Sequence, residues 1–423
     1  MSHAGEDFLS VPAHLTLTPA EQSGGRIADF IRLPVLGQGT VGFMIADKVP
    51  FSVGIQSKTW GTPTLRWNVG FDGVSLDEHA QGAWHPVLTM PNPDAEPGLL
   101  HGLDPDPACK YWFSFDYHNR RLRYGKGEMR LGCMIAECRL PPKPNETDED
   151  DDPYGWLLQA RRVEVTATIR EAVDVWRDPV TVDVPMKVVP HDRMTMDMMA
   201  EGRTAVPGNL TQTCRQLYDN VAGESFRLDT PDFPQFAQAI RESLESADGW
   251  CRRTLERKAD EFGTPDPDKT YLRITLGQNQ GDSPGVPFVM EIWPVGHYSP
   301  IHDHGGAEAV IKVLHGAINV DLYRMLSPHH QRPFSTAVFE TNDVAWISSR
   351  LNQVHKLVNR GEREPCITIQ CYLYAETNEA HWPYFDYLAK SKIAHFDPNS
   401  DDDYVSFKVR MKEEWNSRHV TDA

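Results

Sequence analysis

His302 and His304 stand two residues apart in the run Gly296-His297-Tyr298-Ser299-Pro300-Ile301-His302-Asp303-His304. Side chains of an extended chain alternate faces with period 2, so these two imidazoles project the same way. A third, His355, opens the segment His355-Lys356-Leu357-Val358-Asn359 after several more strand-like runs. A lone histidine is usually a satisfied core residue, but three in this arrangement make a candidate metal centre. Imidazole suits iron, zinc, copper and nickel alike, so ligand type leaves the metal open.

Strands must carry these rings. After Pro267 the pattern predicts them at Tyr271–Leu276, Phe288–Trp293, Ala309–Leu314, Ile318–Tyr323, Val344–Ile347 and Ile367–Tyr374. Ahead of them, Leu210–Val221 and Phe233–Phe262 show helical spacing (Phe236, Ile240, Leu244, Ala247, then Trp250 and Leu255). Asp232 or Thr230 is a candidate cap for the second stretch, and Asp248-Gly249 a candidate break. From Arg26 to Val189 short strands alternate with Gly, Pro and Asp punctuation, as in Thr40–Met44, Tyr111–Asp116, Arg121–Tyr124, Arg162–Ile169 and Val180–Val184. His118-Asn119 reads as a hairpin turn, and the acidic run Glu146–Asp152 as a solvated loop. The expected layout is a polar tail at 1–24, a β-rich sandwich or jelly roll at 25–190, a linker at 191–208, the histidine-bearing domain at 209–400 and a tail at 401–423. The fold class is mainly β.

Gly296, five residues, His302-x-His304, and later His355, three residues, Asn359 resemble the two-motif pattern of cupins. That resemblance implies a jelly-roll barrel. One departure narrows it. With Gly316 as the closing glycine, the cupin glutamate ligand falls at Ala309; Glu308 is one place off, and a one-residue slip on a strand reverses the face. The expected ligand set is three histidines without a carboxylate.

Trp293-x-x-Gly296-His297-x-x-x-Ile301-His302-Asp303-His304 with Lys312-Val313-Leu314-His315-Gly316 resembles the cysteine dioxygenase family of thiol dioxygenases. Leu210-Thr211-Gln212 through Trp250, Tyr271-Leu272-Arg273, and the spacing from His355 to Tyr372 resemble it too, so the likeness spans roughly residues 208–376. It implies that His302, His304 and His355 hold one mononuclear Fe(II). It implies oxidation of the thiol of L-cysteine to a sulfinic acid by both atoms of O2. It also implies that Arg273 grips the substrate carboxylate with Tyr271 beside it, and that Tyr372 hydrogen-bonds the reacting groups. Animal members have a cysteine at the place of Ala309, linked covalently to the tyrosine; alanine forbids that link. Gln370 stands where they have a supporting histidine. It can still hydrogen-bond the phenol but does not titrate near neutral pH. Other readings are a dioxygenase of another small thiol (3-mercaptopropionate or a cysteamine-like compound) and a non-catalytic metal-binding scaffold. A carbon–carbon-cleaving or sugar-isomerising cupin is a weaker one, disfavoured by the missing glutamate.

The formal charge of −18 argues against nucleic acid and anionic membranes, both of which want clustered positive charge. Met1–Ser10 has neither a basic nor an apolar segment, so no secretory signal is expected. No run reaches the ~20 apolar residues of a membrane span. Seven scattered cysteines without CxxC spacing fit a reducing, cytoplasmic setting. Gly37-x-Gly39-x-x-Gly42 matches a nucleotide loop by letter, but no helix follows it and Phe43–Ala46 reads as strand. Arg120, Arg121, Arg123 and Lys126 read as the solvated face of a hairpin, and His329-His330 as exposed. Trp293 and Trp346 read as packing residues, and His297 as structural or solvent-facing. The expected partner is a small thiol, with a protein or ligand partner conceivable for the N-terminal β domain.

Overall fold

The computed structural model describes residues 14–18, 26–57, 64–93, 100–142, 152–168, 171–178, 181, 185–263, 265–277, 287–375 and 384–419. The chain divides into two units, Met1–Asp183 and Val184–Ala423.

Unit one is built of two six-stranded antiparallel sheets. One runs His14–Leu17, Val173–Asp178, Gln38–Met44, Lys110–Asp116, Arg121–Lys126, Met134–Arg139; the other runs Arg26–Arg32, Ala160–Thr168, Phe51–Ser57, Leu65–Val69, Gly73–Ala80, Ala83–Pro91. Trp67 of the second sheet meets Phe113 and Tyr124 of the first, at ring-centroid distances of 6.3 and 5.8 Å, so the sheets face each other over an aromatic core. Alternation along Leu65–Val69, buried at every second residue, sends one side inward and leaves the other partly wet.

Several sequence expectations for this unit are corrected. His14–Leu17, expected within a polar tail, is an edge strand paired with Val173–Asp178. The basic cluster is mostly not a solvated face. Arg120, Arg123 and Lys126 are buried because each meets acid: Arg120 with Asp152 at 2.5 and 3.1 Å, Arg123 with Glu137 at 2.9 Å, Lys126 with Asp104 at 3.1 Å. Asp152, the described member of the acidic run, is therefore an ion-pair partner. Gly39 and Gly42 lie in the strand Gln38–Met44. His118-Asn119 does sit in the turn between Lys110–Asp116 and Arg121–Lys126. Of the run Val180–Val184, only residue 181 is among the described residues.

Unit two holds an eight-stranded sheet in the order Thr204–Ala205, Lys187–Val188, Val344–Ile347, Glu308–His315, Cys366–Leu373, Phe288–Trp293, Leu272–Gly277, Asp402–Asp403. A three-stranded sheet, Ser335–Glu340, Ala317–Leu322, His355–Val358, and the hairpin Phe385–Ala389 with Lys392–Phe396 complete the cupin barrel. Lys187–Val188 pairs with Val344–Ala345, and Thr204–Ala205 pairs parallel to it. The stretch read as a linker therefore contributes to this sheet, and it carries a short helix, Met196–Glu201.

The central strands are buried on both faces, which their apolar runs require. Ile274, Met290, Ile292 and Ile367 pack outward against the helices Phe236–Glu245, Trp250–Arg257 and Tyr404–His419. The helix break falls at Gly249, where a Cβ would lie 2.0 Å from the carbonyl oxygen of Ser243. Neither Thr230 nor Asp232 caps the first of these helices. They hydrogen-bond each other, and Asp229 accepts from the backbone N–H of Ala237. Residues 404–419, expected as tail, are a helix whose Phe407 and Met411 are fully buried. All seven cysteines are reduced, and six are buried. No helix among the described residues is long and apolar enough to cross a membrane.

Candidate metal centre and its cavity

Gly296, in the left-handed region at φ +83°, turns the chain out of Phe288–Trp293 into the histidine segment. His302 then bridges to His355 and to Tyr387 of the hairpin, its backbone N–H donating to His355 O and His355 N–H to His302 O, both at 3.0 Å. This reciprocal pair brings the two motifs face to face. One ring nitrogen from each of His302, His304 and His355 lies within 4.8 Å of the others. Asn359 does not approach the rings; its amide donates to Trp293 O and Glu364 O and braces the turn. His297 binds Thr270 and is structural.

Tautomers follow from the carbonyls. The Nδ1 of His302 reaches Pro300 O at 3.0 Å and the Nδ1 of His355 reaches Asn352 O at 3.0 Å. A carbonyl only accepts, so both Nδ1 carry hydrogen and both Nε2 keep a lone pair. The Nε2 of His304 lies 3.3 Å from the Nε2 of His355, and the buried Nδ1 of His304 has no hydrogen-bond partner among the described residues. Burial and neighbouring cationic charge depress His302 to about 3 and His304 well below its ordinary value, and burial depresses His355 to about 4. Three neutral imidazoles aimed at one point are the donor set of a divalent first-row metal, so the residues present fit the ion that the family implies.

Among the described residues no carboxylate joins this cluster. Glu308 faces the helix Gln212–Val221, where it accepts from Thr211 Oγ1. Ala309 faces the barrel and packs with Val289, Ile347, Tyr372 and Phe385.

A cavity beside His302 is lined by Tyr271, Arg273, Glu291, Gln370, Tyr372 and Phe385, among others. All four polar side chains the sequence singled out beside the histidines are thus in one place. Arg273 is 1% exposed, and its Nη1 donates to Glu291 at 2.9 Å. Among the described residues, its Nε and Nη2 have no hydrogen-bond partner within 3.5 Å. Gln370 Nε2 donates to Glu291, and the Tyr372 hydroxyl donates to Gln370 Oε1. Burial raises Glu291 to about 7 against the pull of Arg273. Burial pushes the Tyr372 phenol far up, with Glu291 adding to it, so it stays protonated. Trp293 stacks on Tyr271 at 4.0 Å. Trp346 packs in the core with its indole N–H on Pro185 O. His329 is exposed as read, but His330 is buried.

Two residues escaped the sequence reading. Glu291 had a signal, a lone acid in the apolar run Phe288–Trp293, all of it buried. Phe385, whose ring lies 4.6 Å from that of His304, comes from a hairpin with no motif around it.

Fold and site together define a cupin with a three-histidine cluster able to hold a metal. A family model described as cysteine dioxygenase type I matches residues 202–378, and this part of the chain is a segment of the cysteine dioxygenase family. Cysteine dioxygenase type 1 of Bos taurus is 24% identical over 169 residues, 39% of this chain and 74% of the relative; that of Homo sapiens is 24% identical over 177 residues, 41% and 78% respectively. Membership at this identity supports thiol dioxygenase activity. Two solved structures share weaker likenesses. The Caenorhabditis elegans galectin LEC-6 has TM-score 0.24 at 10% identity, with 38% of this chain and 95% of that one covered. A cupin domain of an XRE family transcriptional regulator from Enterobacter cloacae has TM-score 0.17 at 12% identity, covering 21% and 81%. Neither likeness bears on the site.

Proposed function

We propose that this protein is an Fe(II)-dependent dioxygenase that converts the thiol of L-cysteine to cysteine sulfinic acid. Thiol plus O2 gives the sulfinic acid with both oxygen atoms incorporated, so no outside reductant enters the balance. The observation that carries the reading is the convergence of three neutral imidazoles next to a cavity holding a buried arginine with an unfilled edge.

His302, His304 and His355 would hold the iron, which when bound deprotonates a coordinated thiol and brings it together with O2. The protein's own groups do the rest. Arg273 Nε and Nη2 form the side edge of a planar fork suited to a carboxylate. Trp293 and Phe385 wall the cavity with apolar surface and limit water. Holding the substrate at both ends turns an encounter into an intramolecular event. The reading is tested on purified protein by metal analysis, oxygen uptake with a panel of thiols, and detection of the sulfinate. A site filled with zinc and no oxygen uptake with any thiol after iron reconstitution would refute it.

A further inference from the structure

A second cavity lies inside the barrel, beside His355. Its volume is about 20 Å³, against the roughly 10–15 Å³ that one water requires. Side chains from six strands of the two barrel sheets line it, Val313, Val320, Phe339 and Ala345 among them. His302 lines the polar cavity and His355 lines this one, while Leu357 and Gln370 line both. The histidine cluster therefore stands between a polar space and an apolar one.

Polarity decides what such a space holds. Nine of its twelve lining residues are apolar, and the other three have little left to offer. His355 gives Nδ1 to Asn352 O and turns Nε2 toward His304. Gln370 is engaged at both ends of its amide, by Glu291 and by Tyr372. That leaves Thr368 Oγ1, buried with no hydrogen-bond partner among the described residues. A buried water makes roughly two to four hydrogen bonds, whereas an apolar cavity stays dry and takes small apolar solutes. Zwitterionic cysteine would forfeit its hydration there without recompense, so the space does not suit the thiol.

We propose that this cavity is a staging site for dioxygen: it gathers the small apolar co-substrate from water beside His355, while the polar cavity takes the thiol. The choice of dioxygen rests on the dioxygenase reading above; the dryness of the cavity does not. Transfer out of water favours a small apolar solute in such a space. Ala345 is the smallest side chain on its wall, and it belongs neither to the histidine cluster nor to the polar cavity. Ala345→Leu therefore fills the space and leaves the ligands and Arg273 in place. Val320→Ile is a milder filler on a facing strand, adding one methylene.

Crystals of the zinc-loaded protein under xenon pressure read the occupancy directly, since xenon is small and apolar and its anomalous scattering marks its place. The parent should hold one xenon in the cavity, A345L none, and V320I less than the parent. With iron-loaded protein and saturating cysteine, kcat/KM for O2 should fall about fourfold in A345L, the ratio that one methylene's worth of apolar transfer supports. V320I should shift it the same way, and KM for cysteine and metal content should not change in either variant. An ordered water or no xenon in the parent cavity would overturn the proposal. So would an unchanged kcat/KM for O2 in a filler variant that has lost its xenon, and V320I alone decides this point if A345L does not fold. No oxygen uptake by the iron-loaded parent with any thiol would refute the dioxygenase reading and with it the choice of dioxygen, while xenon in the parent would still establish a dry site for a small apolar ligand.

Discussion

Ala309 lies directly opposite Tyr372 in the antiparallel ladder between Glu308–His315 and Cys366–Leu373, and both side chains are buried on the barrel side. Opposed residues have Cβ atoms about 4.5–5.5 Å apart. Ala309→Cys should therefore place a thiol against the phenol ring. After incubation with iron, thiol and oxygen, mass spectrometry of the peptides should show a Cys–Tyr crosslink lacking two hydrogens. An uncrosslinked variant under those conditions would mean the ring edge is turned away.

The metal centre predicts its own fingerprint in stability. Ligands that bind only the folded state raise stability by mass action, about 2.7 kcal/mol at a hundredfold excess over Kd. Chelation should lower the Tm of the parent protein. His304→Ala should retain no metal by elemental analysis, and its Tm should not respond to a chelator.

Arg273 and Glu291 form a pair with side chains 1% and 3% exposed. Arg273→Met strands a carboxylate in the core and should cost about 3–5 kcal/mol. Adding Glu291→Leu to that variant should recover most of the loss. Urea denaturation of the two single variants and the double variant checks this, and simple additivity would count against a coupled pair.

The helix Tyr404–His419 buries Phe407 completely, in ring contact with Phe236 at 5.9 Å and Trp250 at 5.4 Å. Phe407→Ala should destabilise unit two by about 3–5 kcal/mol. A variant as stable as the parent would show that this helix is not part of the core.

In unit one, Arg120 and its companion hydrogen bonds hold Asp152 below its ordinary value of 3.8 against the opposing effect of burial. The folded pKa lies below the unfolded one, so the stabilisation is present above pH 3.8 and is lost as pH falls through the folded value. Asp152→Asn should cost about 2 kcal/mol at neutral pH, and the gap to the parent should close under strong acid. A constant gap across the titration would point to packing instead of charge.

The sequence disclosed the three-histidine cluster well because a shared metal would impose spacing on its ligands. His302-x-His304 and His355 needed only period 2 and a facing strand. Strands buried on both sides, such as Phe288–Trp293, were equally plain from their apolar runs. The helix at 404–419 was read as tail: Tyr404, Phe407, Met411 and Trp415 follow helical spacing, but its many charges masked the stripe. The burial of Arg123 and Lys126 was not legible, because their partners Glu137 and Asp104 lie elsewhere in the chain and only the fold supplies them.

Six of the seven cysteines are sealed in the interior. Burial raises Cys214 and Cys251 to about 12, and holds Cys109, Cys366 and Cys371 up as well. Thiolate is the reactive form, so these sulfurs are poor nucleophiles at neutral pH. If the protein is the thiol dioxygenase proposed above, it would otherwise sit among its own reagents. Shielded this way, those six thiols stay out of mixed disulfides and off the oxidation ladder.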